Sequence, residues 1–132
     1  MQPISNSVWF AKMKDSYKIL IITKRDIDIL NDCILSTGYQ GIKASGNLPL
    51  SLLSAIIISN DFKIQRDLNS VGTTMAGINN ETLVKIKVPL LSENEIKEYD
   101  KAYSPFVDEL SILRQEKDKL ISLKSLLLNK YF

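Results

Sequence analysis

The sequence predicts a mixed α+β fold: a small sheet-and-helix head at residues 1–91, followed by a long helical arm at residues 92–132. Apolar and β-branched runs before residue 44 indicate strands, and apolar residues at helical spacing over 47–68 indicate a helix. From residue 92 onward the pattern changes to a capping sequence and a seven-residue apolar repeat, which is typical of a coiled-coil helix.

Three strands are predicted in the first third of the chain. Residues 8–14 alternate loosely, and residues 17–23 are apolar on both faces, as in a central strand. The short polar link between them predicts a β-hairpin. Residues 34–44 contain two glycines around a tyrosine, which indicates a strand with a bend. Residues 24–33 combine helical spacing with turn-forming residues, and both interpretations stay open.

The middle of the chain is predicted to be mainly helical. The helix over residues 47–68 is expected to break at the Ser-Asn-Asp sequence of residues 59–61. A short helix over residues 81–85 is expected to be capped by one of the two asparagines that precede it. The sequence IKVPLL at residues 86–91 predicts a short strand, placed at a sheet edge or strand end because its proline lacks an N–H donor.

Composition limits the possible functions. The chain has 132 residues, 45% of them apolar, which suits one domain with a hydrophobic core. A net charge of +2 means that any basic surface must come from local arrangement. There is no histidine and one cysteine, Cys33, which argues against a histidine base, an internal disulfide and a Cys-based zinc site. We expect a cytoplasmic protein without a membrane segment, a metal or another cofactor.

The arm is predicted to begin at a capping box formed by Ser92 and Glu95. Pro105 leaves two alternatives, a second helix capped by Ser104 or one long helix kinked at the proline. About 40 residues would span about 60 Å, too long to be buried on a head of this size. We therefore expect another helix to cover its apolar rows, whose predicted contact residues are Phe106, Leu110, Leu113, Leu120, Leu123 and Leu127.

The order of elements from Gly72 onward resembles the end of a target-recognition domain in the specificity subunit of type I restriction-modification enzymes. In that family a Gly-Ser/Thr-Thr sequence and an Ile-Asn pair lead into an apolar strand ending in proline, and a long helix follows. The matching residues here are Gly72, Thr73, Thr74, Ile78, Asn79, Leu83, Ile86, Val88 and Pro89. The family's Gln-containing stretch after the strand is replaced by LLSENEIKEYDK. The chain would correspond to the C-terminal part of one recognition domain plus its helix.

This resemblance implies a DNA-binding component without catalytic activity of its own. It would bind one part of a bipartite target in double-stranded DNA, and its helix would dock the methyltransferase subunits, with the restriction subunit as a further partner. Pairing through the helix, as a homodimer or with another specificity half-subunit, is also expected. The alternative is a protein-interaction module that dimerises through the helix and does not bind DNA, which the near-neutral charge favours.

Basic and polar residues near the predicted hairpin and loops are the candidates for DNA contact. Lysines pair with phosphates, and amide, hydroxyl and aromatic side chains contact bases or backbone. The predicted DNA-binding residues are Lys12, Lys14, Lys18, Tyr39, Gln40, Lys43, Thr73 and Thr74. The alternatives are a solvated hairpin face and an ordinary loop. Turn and cap roles are sufficient to explain Asp26, Asp28 and Asp32, and no catalytic residue is predicted.

Overall fold

The computed structural model describes residues 1–72 and 76–131 and has the predicted mixed α+β fold. The elements in chain order are β1 (Ser7–Ala11), β2 (Ile19–Ile22), α1 (Ile27–Asp32), β3 (Tyr39–Lys43), α2 (Leu50–Ile58), α3 (Asn60–Leu68), α4 (Asn80–Leu83) and α5 (Glu93–Tyr131). Residues 24–33, which the sequence left open between helix and turn, contain the short helix α1.

The three strands form an antiparallel sheet in the order β2-β1-β3, and the β1–β2 pair is the predicted hairpin. The prediction that residues 17–23 form a central strand is wrong, because β1 lies between β2 and β3, and all five residues of β1 are buried. The strand predicted over 8–14 ends at Ala11, because Lys12 and Met13 pair instead with a distant segment and Asp15 adopts a left-handed backbone with φ of 63°.

One face of the sheet carries the hydrophobic core. Val8 and Phe10 on β1 are fully buried and pack with Leu53 and Ile57 of α2 and with Phe62 of α3. The rings of Phe10 and Phe62 meet edge to face, with centroids 5.1 Å apart. Helices α2 and α3 therefore cover this face of the sheet.

The opposite face is organised by Trp9. Its ring lies against Gly41 of β3, and its indole N–H donates to Ser7 Oγ at 2.9 Å. The ring is 7% exposed, so this side of β1 is also buried. A glycine is required at position 41 because a Cβ there would lie 2.7 Å from the indole ring.

The helix break predicted at residues 59–61 is confirmed. Ser59 has an extended backbone (φ −61°, ψ 150°) between α2 and α3, and its hydroxyl accepts from the N–H of Phe62. Local side-chain capping thus ends one helix and begins the next.

The strand predicted at residues 86–91 is wrong, since none of these residues belongs to a strand. The short helix before it begins at Asn80 and is capped by Asn79, one of the two predicted candidates. Lys87 has both backbone groups bonded to one side chain: its carbonyl accepts from Gln65 Nε2 at 2.8 Å, and its N–H donates to Gln65 Oε1 at 2.7 Å. The α3 side chain takes the place of a neighbouring strand.

The arm is one continuous helix of 39 residues with Pro105 inside it, which decides against a second helix capped by Ser104. It is about 58 Å long at 1.5 Å per residue. The predicted capping box is confirmed: Glu95 N–H donates to Ser92 Oγ at 3.2 Å, and Ser92 N–H donates to a Glu95 carboxylate oxygen at 2.9 Å. Within the described residues, no helix has the length and apolarity to span a membrane.

Candidate nucleic-acid surface and helix seam

The turn between β1 and β2 carries three of the predicted DNA-binding lysines and contacts the segment after residue 75. Lys12 O accepts from Ile78 N–H at 2.8 Å, and Lys14 N–H donates to Ala76 O at 2.8 Å. Met13 and Gly77 form an isolated antiparallel bridge between these contacts. The structure therefore brings the predicted basic turn next to the end of the Gly-Thr-Thr loop. The sequence alone does not predict that these two segments are neighbours.

The loop itself is only partly described. Gly72 has φ of 112°, a left-handed conformation that favours glycine, and Val71 pairs with Gly77 across the loop. Thr73 and Thr74, predicted to contact DNA, lie outside the described residues, so their role stays a prediction.

The basic turn is held on α3 by a buried arginine, a feature that the sequence analysis missed. Arg66 is 2% exposed; its Nη1 donates to the Ser16 carbonyl, and its Nη2 lies 3.0 Å from Asp67 Oδ1. The same carboxylate oxygen accepts from the N–H of Asp15 at 3.3 Å. This arrangement holds the turn between Lys14 and Lys18 against the head, while both lysine side chains remain exposed.

The residues predicted on β3 divide between the two faces of the sheet. In the observed register Tyr39 lies opposite Ala11 and Lys43 opposite Ser7. Because side chains alternate along a strand, Tyr39 and Lys43 lie on the same face as Trp9, whereas Gln40, opposite Phe10, lies on the other face.

Lys18 lies on the same face of the sheet as Tyr39 and Lys43. Its carbonyl accepts from Ala11 N–H at 3.1 Å, which places Lys18 opposite Ala11 and in line with Tyr39. Lys18 and Lys43 are exposed, and Tyr39 is half-buried. We call Lys18, Tyr39 and Lys43 with the turn residues Lys12 and Lys14 the basic surface. Lys12 is half-buried and contributes its main chain to two contacts, N–H to Gly38 O and O to Ile78 N–H.

The six residues predicted to contact another helix are all exposed on α5. Phe106, Leu110, Leu113, Leu120, Leu123 and Leu127 are each 48–66% exposed. We call this set the seam. Ile121, Leu126 and Leu128, which the sequence analysis did not include, are also exposed and widen the apolar surface toward the end of the helix.

The head packs against the other side of the same helix. Val107 and Ser111 are the buried residues of α5, and Val107 belongs to the hydrophobic core. At 100° per residue, Leu120 lies half a turn around the helix from Ser111. Leu113, Leu120 and Leu127 therefore face away from the head, whereas Leu123 lies at the border of the seam, beside the groove next to α1.

A groove of about 600 Å³ lies between α1 and α5, lined by residues that include Ile27, Arg114 and Leu123. Asp26, which also lines this groove, is buried and accepts hydrogen bonds from Thr23 and Ser111. Within the described residues, no group of three or more acidic or cysteine side chains could hold a metal ion.

Comparisons of the chain with protein-family models, with curated proteins and with solved structures give no significant match. The basic surface and the seam are therefore the features from which a function can be proposed.

Proposed function

We propose that this chain is the DNA-sequence-recognition component of a type I restriction-modification system, in which the head binds part of a bipartite target and α5 docks methyltransferase subunits. The observation that carries the proposal is the contact between the basic turn and the segment after residue 75. This contact joins the basic turn to the end of the Gly-Thr-Thr loop, and the sequence predicts DNA contact for each of them independently. More than 60 positions separate Lys12 from Ala76.

The basic surface suits contact with a duplex through phosphates first. Lys14, Lys18 and Lys43 are exposed, and a lysine that pairs with a phosphate releases a condensed counterion. Such contacts fix position and orientation but carry no sequence information. Base reading would fall to the polar and aromatic groups beside them, Tyr39 and the Gly-Thr-Thr loop.

Pairing through the seam suits the second part of the proposal. Glu109 and Glu116 flank the first half of the seam, whereas Lys117 and Lys124 lie in its second half. Two such helices in antiparallel orientation would bring each acidic half against a basic half, while parallel pairing would place like charges side by side. The heads would then lie on the outer sides of the helix pair, because each head is bound to the face opposite its seam.

The DNA part is tested by measuring binding to a mixed-sequence duplex over a salt series. If three to four lysines contact phosphates, the slope of log K against log salt is about −3, at roughly −0.9 per contact. The double variant Lys12→Glu/Lys14→Glu should reduce the slope by about 1 for the exposed Lys14, and by about 2 if the half-buried Lys12 contacts a phosphate as well. The matched control Lys97→Glu/Lys101→Glu makes the same change in net charge on exposed positions of α5 and should bind more strongly than the turn variant.

A slope near zero for the unmodified chain, or equal losses in the two double variants, would reject the basic surface as a DNA site. The alternative function, a protein-interaction module that dimerises through α5, is favoured by one observation, the exposure of the whole seam. The interaction module predicts a stable dimer whose DNA binding shows a slope of log K against log salt near zero. Co-purification with a type I methyltransferase subunit tests the docking role separately.

A further inference from the structure

A buried carboxylate connects the head to α5. Asp26, in the turn between β2 and α1, is 3% exposed. Its Oδ2 accepts from Thr23 N–H at 2.8 Å, from Thr23 Oγ1 at 3.2 Å and from Ser111 Oγ at 2.9 Å. The Ser111 hydroxyl also lies 2.9 Å from Thr23 Oγ1, so three side chains from two distant parts of the chain share three short contacts, of which the two hydroxyl protons fill two at a time.

The next turn of α5 adds three contacts to the end of β2 and the turn after it. Arg114 Nη2 donates to Ile21 O at 2.6 Å and lies 3.6 Å from Asp26 Oδ2. Gln115 Nε2 donates to Arg25 O at 2.6 Å. Consecutive turns of the helix are therefore bonded to one short backbone segment, residues 21–26.

Apolar packing alone specifies the direction of α5 only weakly. Val107 is the one apolar residue of the described helix that is buried, and hydrophobic contact is not directional. Hydrogen bonds to a buried carboxylate are directional, and a misaligned bond would leave a charged group without compensation. Two sets of polar contacts therefore carry directional information: the Asp26 network, and the bond from Ser51 Oγ of α2 to Asp100 Oδ1 of α5 at 2.7 Å.

We infer that Asp26 is a positioning residue that sets the direction of α5, and with it the direction of the seam, relative to the head. Its charge matters as well as its shape, because one carboxylate oxygen accepts several bonds and faces the Arg114 guanidinium. Asparagine can keep the local bond to Thr23, but it lacks the negative charge that faces Arg114. Loosening Asp26 should leave the head folded while α5 samples a wider range of directions.

This inference does not depend on DNA binding, and distance measurement tests it directly. Spin labels at Ser45→Cys on the head and Asn129→Cys on α5, in a Cys33→Ser background, report the head-to-arm distance by double electron–electron resonance. Both labelled positions are exposed. Diluting labelled with unlabelled chain isolates distances within one molecule from distances between paired copies.

The labelled parent should give a narrow distance distribution. Asp26→Asn and Ser111→Ala should each broaden it about two-fold or more. Asp28 is exposed and lies two positions after Asp26. Asp28→Asn therefore removes a charge outside the network and should leave the width of the distance distribution unchanged. Circular dichroism establishes that each variant is folded, and Ser111→Ala, the milder change, retains the test if Asp26→Asn unfolds. Unchanged widths in folded variants of both Asp26 and Ser111 would overturn the inference, as would equal broadening by Asp28→Asn.

Discussion

Replacement of Gly41 by alanine tests whether Trp9 organises the outer face of the sheet. A Cβ at position 41 would lie 2.7 Å from Trp9 Cε2 and Cζ2 and 2.8 Å from Cδ2. Contacts this short do not persist, so either the indole or strand β3 must move. The indole is constrained because it is 7% exposed and its N–H donates to Ser7 Oγ.

The magnitude follows from what the indole loses when it rotates. One neutral hydrogen bond contributes about 1 kcal/mol. Returning a quarter of a ring that buries roughly 200 Å² to water costs about 1.2 kcal/mol at about 25 cal/mol per Å². The free energy of unfolding should therefore fall by about 2 kcal/mol, within the usual range of about 1–3 kcal/mol for an overpacked core.

The assay is urea unfolding followed by the fluorescence of Trp9, the one tryptophan in the chain. A loss of about 2 kcal/mol lowers the midpoint by about 1 M urea if m is about 2 kcal/mol/M. Native emission should also shift to the red as the indole gains water. All measurements use one protein concentration, because pairing through the seam would make stability depend on it.

Gly46→Ala is the matched control, since a Cβ at position 46 meets nothing within 4 Å. This variant should keep the parent emission and be at least as stable, because alanine reduces the conformational freedom of the unfolded chain. If Gly41→Ala unfolds at the same urea concentration as Gly46→Ala, the close contact between Trp9 and β3 does not constrain the sheet.

Three further predictions concern the core, the helix start and the seam. Phe62→Ala should lower the free energy of unfolding by about 3–5 kcal/mol in chemical denaturation, because it removes a buried ring; a loss below 1 kcal/mol would contradict its place in the core. Ser92→Ala should lower stability by about 1 kcal/mol through loss of the cap, whereas Ser92→Asp should retain it. Leu120→Glu/Leu127→Glu should convert a dimer into a monomer in sedimentation velocity, and Ser122→Glu/Asn129→Glu should not; a dimer in both cases would locate pairing elsewhere.

The elements that sequence reasoning predicted correctly are those determined by local chemistry. The strands of the hairpin follow from their own apolar and β-branched residues. Ser59 ends one helix and caps the next through a bond to a residue three positions later. Ser92 and Glu95 likewise satisfy each other within one turn. None of these features requires knowledge of a distant part of the chain.

The wrong strand at residues 86–91 shows where local reasoning fails. Its apolar alternation and its proline were compatible with an edge strand, but a strand needs a neighbouring strand to supply hydrogen bonds. Here the partner of Lys87 is the side chain of Gln65, 22 positions earlier on α3. An amide side chain can bond the backbone N–H and carbonyl of one residue in this way, but it cannot continue the hydrogen bonds of a strand to the next residues.

The basic surface was predictable residue by residue and not as an arrangement. Period-2 alternation would place Lys43 and Tyr39 on one face, but only the register with β1 shows that this is the face of Trp9. The same register separates Gln40 from them. The burial of Arg66 under the basic turn was not visible in the sequence, because its partners are the adjacent Asp67 and a backbone carbonyl 50 positions earlier, that of Ser16.

Helix α5 presents different residues on its exposed side and on its head-facing side. The seam is apolar, and one of its rows repeats every seven residues, whereas the head-facing side uses Val107, Ser111 and Arg114, two of them polar. The apolar repeat therefore identified the exposed side, and the buried side was hidden because a serine and an arginine occupy it. Since the two sides lie about half a turn apart, changes in the seam should alter pairing without altering the angle between head and arm. Changes at Asp26 should alter that angle without altering pairing. If two copies pair through the seam, the distance between their heads should therefore respond to changes at either place.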